Sequence, residues 1–174
     1  MAIPVTLEDA RRQVKLEADD VSRDDDLIGW IADAAAWVED YTGRLLSTEE
    51  VTEQVRVPGR AIELRAWPIA AGAALTVTGP GGTPVAGARL DTSRRPARIY
   101  PPVGTVWPLS CTDESLTVTI TAGYPDVASV PGNIRRAMLL LIGAYDADRE
   151  GGEIFAKAEE AARRLCGSLR LRRV

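Results

Sequence analysis

The chain contains no histidine. That absence removes the usual general base, the commonest metal ligand and the usual activator of a serine or cysteine nucleophile. Catalysis would have to rest on carboxylates, lysine, cysteine or tyrosine. Lysine is almost as scarce: only Lys15 and Lys157 occur, both at positions that read as exposed. Cys111 and Cys166 are far apart and belong to no CxxC or Cys/His cluster, so neither a zinc site nor a disulfide framework is indicated, and a reducing compartment is expected. Aromatic residues make up 5% of the chain, which leaves Ala, Val, Leu and Ile to fill the interior. No run approaches the ~18 apolar residues of a membrane span. The opening "MAIPVTLEDARRQ" has no apolar h-region, so membrane insertion and secretion are both disfavoured.

A hydrophobic share of 45% with 26% charged residues suits a folded soluble protein, and 174 residues suit one domain, at most with a subdomain inserted. Charge is unevenly spread. Residues 1–50 carry a net −8, residues 51–131 a net +1 and residues 132–174 a net +3. An acidic front and a basic end suit a protein that meets copies of itself or a partner head to tail, although both also read as solvated surfaces.

Thr6 followed three residues later by Asp9 predicts a capping box opening a short helix that runs to about Leu16, with Leu7, Ala10 and Val14 as its apolar stripe. A second helix is predicted over 24–42. Ser22 and the run Asp24, Asp25, Asp26 mark its start, where negative charge meets the positive end of the helix dipole. Leu27, Trp30, Ile31, Ala34, Trp37, Val38 and Tyr41 recur at helical spacing, and Gly43 supplies a left-handed stop.

From Val51 the period changes to two. Val51, Val55 and Val57 alternate with polar residues, and Ile62 with Leu64 and Leu75 with Val77 predict further short strands. "GPGGTPVAG" at 79–87 lacks the Lys-Ser or Lys-Thr of a phosphate loop and reads as a hairpin tip. "RPARIYPPVGTVWP" at 95–108 reads as a rigid, aromatic-tipped loop. "SLTVTITAG" is the clearest strand, with Leu116, Val118 and Ile120 on one face and Thr117, Thr119 and Thr121 on the other.

Helix returns after Pro131. Ile134, Ala137, Met138, Leu141, Ile142 and Tyr145 form its stripe, which Leu139 and Leu140 widen until the helix is apolar nearly all round. Gly151 and Gly152 break it, and a last helix over about 153–167 turns Phe155, Ala158, Ala162 and Leu165 inward. "GSLRLRRV" closes the chain as a basic tail ordered only against something it binds. The expected fold is therefore α+β: mainly a helical bundle of two N-terminal and two C-terminal helices (1–48 and 131–167), a β-rich insertion of short antiparallel strands (49–124), and a basic tail (168–174).

Candidate sites are few. Asp24, Asp25 and Asp26 could form a divalent-metal cluster, but consecutive helix residues diverge and the helix dipole already accounts for an acidic start. Cys166 reads as a small core residue rather than a nucleophile, and Trp30 and Trp37 as core. Trp67 and Trp107 each precede proline; they are loop anchors or interface residues. Arg163, Arg164, Arg170, Arg172 and Arg173 form a basic end able to contact phosphate or an acidic protein surface, in a chain without a recognised nucleic-acid-binding signature.

Four stretches taken together carry a resemblance: "PVTLEDARRQVKLEADDVSRDDDLIGWIADAAAWVEDYTGRLL", "RPARIYPPVGTVWP", "LTVTITAGYPDVASVPGNIRRAMLLLIGAYDADRE" and the basic end. They cover well over half of the chain and resemble the head-tail connector (adaptor) proteins of tailed phages, a group also found in gene transfer agents. The resemblance implies structural work without catalysis, cofactor or metal. It implies a ring, with twelve copies expected, beneath the portal at the virion neck, assembled in the host cytoplasm. DNA would pass through the channel without sequence-specific binding, and a stopper or tail terminator would follow below. On this likeness Leu169, Arg170, Leu171, Arg172, Arg173 and Val174 bind the portal. Trp67, Tyr100, Trp107, Leu139 and Leu140 contact a neighbour, and Asp24, Asp25 and Asp26 face the channel. The alternatives are a small carboxylate and metal-dependent enzyme, and a DNA-contacting accessory protein acting through the arginine-rich tail.

Overall fold

The computed structural model of the chain describes residues 3–17, 19–56, 60–70, 72–109, 115–148 and 150–170. Among the described residues two α-helices precede six β-strands and two more helices follow them, the expected α+β order, and the chain divides into two compact units. One unit joins the two ends of the sequence, Met1–Leu46 and Asp126–Val174; the other is Ser47–Pro125.

In the first unit, α1 (Leu7–Gln13) opens on the anticipated capping box: the Thr6 hydroxyl accepts the Asp9 N–H and the Asp9 carboxylate accepts the Thr6 N–H, both at 3.1 Å. α2 spans Asp24–Thr42 and ends on Gly43 in the left-handed region (φ 62°), as its sequence requires. Its N-cap is Arg23 and makes no side-chain cap, so Ser22 does not play the role its identity suggests; the three aspartates occupy the first turn instead. α3 (Gly132–Ala147) buries Ile134, Ala137, Met138, Leu141, Ile142 and Ala144, and packs against α1, α2 and α4 (Glu153–Cys166). From α2 come Leu27, Ile31, Ala34 and Val38, and from α4 Ala162 and Cys166. Leu139 and Leu140 are half-buried.

α4 has no cap of its own, since Gly152 precedes it. The Asp148 carboxylate reaches forward and accepts the N–H groups of Ile154 (3.1 Å) and Phe155 (3.3 Å), replacing the missing cap. Tyr145 stacks on Phe155 with ring centres 5.4 Å apart, a second tie between α3 and α4.

Among the described residues the second unit holds two three-stranded antiparallel sheets. One has the order β1 (Glu49–Val55), β6 (Leu116–Ala122), β3 (Leu75–Thr78), with Ile120 opposite both Val51 and Leu75. Alternation along β6 is as expected: Leu116, Val118, Ile120 and Ala122 are buried, while the threonines between them are half-exposed. Across that outer face Thr52 and Thr119 meet hydroxyl to hydroxyl at 3.1 Å. The other sheet has the order β2 (Ile62–Glu63), β5 (Arg98–Tyr100), β4 (Arg89–Asp91). The 79–83 segment turns tightly, with the Gly79 N–H donating to the Thr83 carbonyl, and residues 84 and 85 return along β3. After that return the chain leaves for the second sheet.

Two expectations change here. "RPARIYPPVGTVWP" is not all loop, because its Arg98–Tyr100 segment is the central strand of the second sheet, with Ile99 fully buried opposite Ile62 and Leu90. Three-residue strands flanked by prolines carry too little alternation to be read in advance. Val57, expected to continue β1, lies outside the described residues.

Candidate interaction surfaces

The C-terminal end of α4 is fixed to the C-terminal end of α2 by a series of side chains. Trp37 donates its indole N–H to Glu159 at 3.1 Å and stacks on Tyr41, with centroids 5.2 Å apart and planes inclined by 13°. The Tyr41 hydroxyl donates to the Arg163 carbonyl, and Arg44 donates to the Leu169 carbonyl at 3.1 Å. Arg170 closes the series with its guanidinium over the Tyr41 ring. The Arg163 guanidinium, at 2.8 Å, and then the Trp37 N–H hold the Glu159 carboxyl below its ordinary range. Of the residues expected to bind a portal, Leu169 is half-buried in a 3-10 turn and Arg170 is exposed; Leu171, Arg172, Arg173 and Val174 lie outside the described residues. The sequence gives no sign that Tyr41 and Arg44 set where this segment leaves the unit, because their partners are about 120 residues away.

The acidic start of α2 is not three equivalent carboxylates. Asp24 accepts both Nε (2.9 Å) and an Nη (2.5 Å) of Arg11, a two-point ion pair that ties α1 to α2. Asp25 and Asp26 are exposed. Next to them Arg23 pairs with Asp146 of α3 at 2.5 Å and covers the Trp30 ring at 5.2 Å. Among the described residues no group of three Asp, Glu, Cys or His side chains is arranged to hold a metal ion. Trp30 and Trp37, expected in the core, are half-buried at its edge.

A third surface belongs to the second unit. After β5 the chain turns through residues 101–109 and borders a cavity of about 770 Å³ that Arg60 and Arg89 also line. Trp107 is 7% exposed and donates its indole N–H to the Arg60 carbonyl at 3.3 Å, so it anchors the loop rather than standing out from it. What stands out are Val103 and Val106, at 79% and 84% exposure. Tyr100 is half-buried with the Arg89 guanidinium 5.9 Å from its ring, and Trp67 is half-buried before a cis proline. The exposure of Val103 and Val106 could have been suspected from their place on either side of Gly104 among prolines.

Cys166 is fully buried, and desolvation pushes its thiol up to about 11. Cys111 lies outside the described residues. Among the described residues no helix is long and apolar enough to cross a membrane.

A helical unit is built from both ends of the sequence, and a unit with two sheets is inserted between them in the chain. The chain is similar to one from the neck of an empty gene transfer agent particle computed with C6 symmetry, with 25% identity, a TM-score of 0.77, and coverage of 100% of this chain and 94% of that one. A chain from the virion of a native gene transfer agent particle matches at 24% identity and a TM-score of 0.73, covering 100% of this chain and 94% of that one. A chain from the neck of a native particle computed with C12 symmetry matches at 22% and 0.73, covering 99% and 91%. The likeness to connectors of phages and gene transfer agents read from the sequence is thereby borne out. No family model matches the chain, and no curated protein matches it in sequence.

Proposed function

We propose that this chain is a structural neck protein of a tailed phage or phage-like particle, one of twelve copies in a ring beneath the portal that joins head to tail and continues the DNA channel. The observation that carries this reading is the full-length likeness to a gene transfer agent neck chain at a TM-score of 0.77. The chemistry of the surfaces agrees with it, since they offer apolar projections, stacked aromatics and charges of both signs. Such features make contacts with other proteins.

On this reading the basic segment from Leu169 onward docks on the portal. Its departure point is set by Arg44 and Tyr41, which hold Leu169 and Arg170. Leu139, Leu140, Trp67, Tyr100 and Trp107 support contacts between neighbours, Trp107 by bracing its loop from within. Asp25 and Asp26 flank the channel, where negative charge keeps DNA from adhering. Asp24 contributes less there, because Arg11 neutralises it. The protein works without cofactor or catalysis, assembles in the host cytoplasm, and hands over to a stopper or tail terminator below.

The test is to mix the purified protein with the portal protein of the same genome and image the product by negative-stain electron microscopy. An added ring layer that is lost when residues 170–174 are deleted is the expected result. A portal that stays bare at all salt and protein concentrations, with the protein folded, would confine the likeness to the fold.

A further inference from the structure

The cavity beside residues 101–109 has a distinct chemistry. Its loop is held in shape by its own bonds. The Thr105 N–H and hydroxyl both donate to the Pro102 carbonyl, Gly104 takes a left-handed φ of 80°, and Trp107 is anchored on Arg60. A loop fixed in this way displays Val103 and Val106 without losing further freedom when they are covered. Arg60 and Arg89 stand exposed at the same cavity, so an occupant should be apolar and acidic at once.

The chain itself has a surface of that description. Of the large apolar residues exposed elsewhere, Val127 has the single carboxylate of Asp126 beside it in sequence, and Ile154 follows Glu153, which is paired with Lys157. Val21 (66% exposed) and Ile28 (55%) lie instead at the N-terminal end of α2, in a stretch that contains Asp19, Asp20 and the exposed Asp25. A closed ring of identical copies needs two different surfaces that complement each other, because each copy presents one to the left and the other to the right.

We infer that the cavity beside residues 101–109 receives the acidic, apolar N-terminal end of α2 from a second copy, with Arg89 and Arg60 facing Asp25 across the contact and Val103 and Val106 covered by Val21 and Ile28. The inference rests on the ring reading above and deepens it by naming the two faces of the contact; it moves Asp25 from the channel to the contact and leaves Asp26 as the channel-side charge.

Charge exchange tests it in a way that no effect confined to one chain can imitate. Arg89→Glu and Asp25→Arg are made separately and together, with melting temperatures measured to show that each folds. Ring formation on the portal is then scored by electron microscopy. Each single variant alone should fall at least tenfold in complete rings, because every contact around its ring sets like charges together. The double variant should recover. An equal mixture of the two single variants should also recover, since in an alternating, even-numbered ring every contact again pairs opposite charges. Arg60→Glu replaces Arg89→Glu should the latter lower the melting temperature.

Normal rings from the single variants overturn the contact, as does failure of both the double variant and the mixture. Normal rings from Val106→Asp that no longer bind the next neck component assign the cavity to that component instead and also overturn it. If the wild-type protein itself leaves the portal bare, the ring reading fails and the contact with it, which separates that failure from the others.

Discussion

The Arg170 guanidinium lies 5.2 Å from the centre of the Tyr41 ring, at the same ring that stacks on Trp37. Tyr41 is thus shared between the core edge of α2 and Arg170 in the basic end of the chain. The segment proposed to meet the portal therefore starts from a fixed point.

Tyr41→Ala removes the Trp37 stack, the hydroxyl bond to Arg163 and the ring beneath Arg170. Aromatic pairs contribute about 0.5–1.5 kcal/mol and an exposed cation–π contact about 0.5–1 kcal/mol. A loss of roughly 1–3 kcal/mol in urea unfolding is expected, while Tyr41→Phe, which keeps both ring contacts, should lose about 1 kcal/mol or less. Hydrogen exchange should quicken over residues 163–170 in the alanine variant only. Unchanged exchange there would mean that the end of α4 is held by other contacts.

Gly123 follows β6 with φ at +114°, and a Cβ placed there would sit 2.0 Å from the Ser47 carbonyl oxygen. Backbone cannot yield as a flexible side chain does. Gly123→Ala should therefore cost about 4 kcal/mol or more, among the severe single substitutions. Soluble expression and circular dichroism read the result. Gly81→Ala makes the control: its φ is also positive (68°) but nothing lies within 4 Å of the added atom, so only the smaller backbone strain remains.

Much of this architecture was legible because local rules and tertiary packing agree. Thr6 and Asp9 announce α1, Gly43 stops α2, and β6 alternates without a break. β4 and β5 were not legible, since three residues among prolines and arginines show no period. The surfaces were harder still. Asp24 looks like Asp25 in the sequence, yet Arg11 from another helix claims it. Trp107 reads equally as anchor or contact until Arg60 supplies its acceptor. Such distinctions depend on partners brought together by folding, which spacing along one element cannot reveal.

Cys166 should behave as packing material. With its thiol fully buried and pushed up to about 11, almost no thiolate exists at pH 8, and reagent cannot approach. Ellman's reagent should leave it unmodified in the folded protein and label it after denaturation. In a variant with Cys111→Ser, rapid native labelling would show that the end of α4 opens readily. Cys166→Ala should be well tolerated, given the small change in volume.

Asp148 makes a pH-dependent link between α3 and α4. The N–H groups of Gly152, Phe155 and Ile154 hold its carboxyl below the ordinary 3.8, so the folded state favours the ionised form more than the unfolded state does. Stability from this source is present in full above the unfolded value, and declines as pH falls through the lower, folded one. Asp9, Asp20, Asp91, Asp126 and Glu159 are held low as well, so acid sensitivity alone would not identify Asp148. The difference between wild type and Asp148→Asn does. It should be largest near neutrality, where the variant melts a few degrees lower, and should shrink as pH drops below 3.8, because a protonated carboxyl and an amide are then nearly equivalent acceptors. A difference that is constant with pH would show that the side chain acts by shape alone, and that α4 draws nothing from the charge at its start.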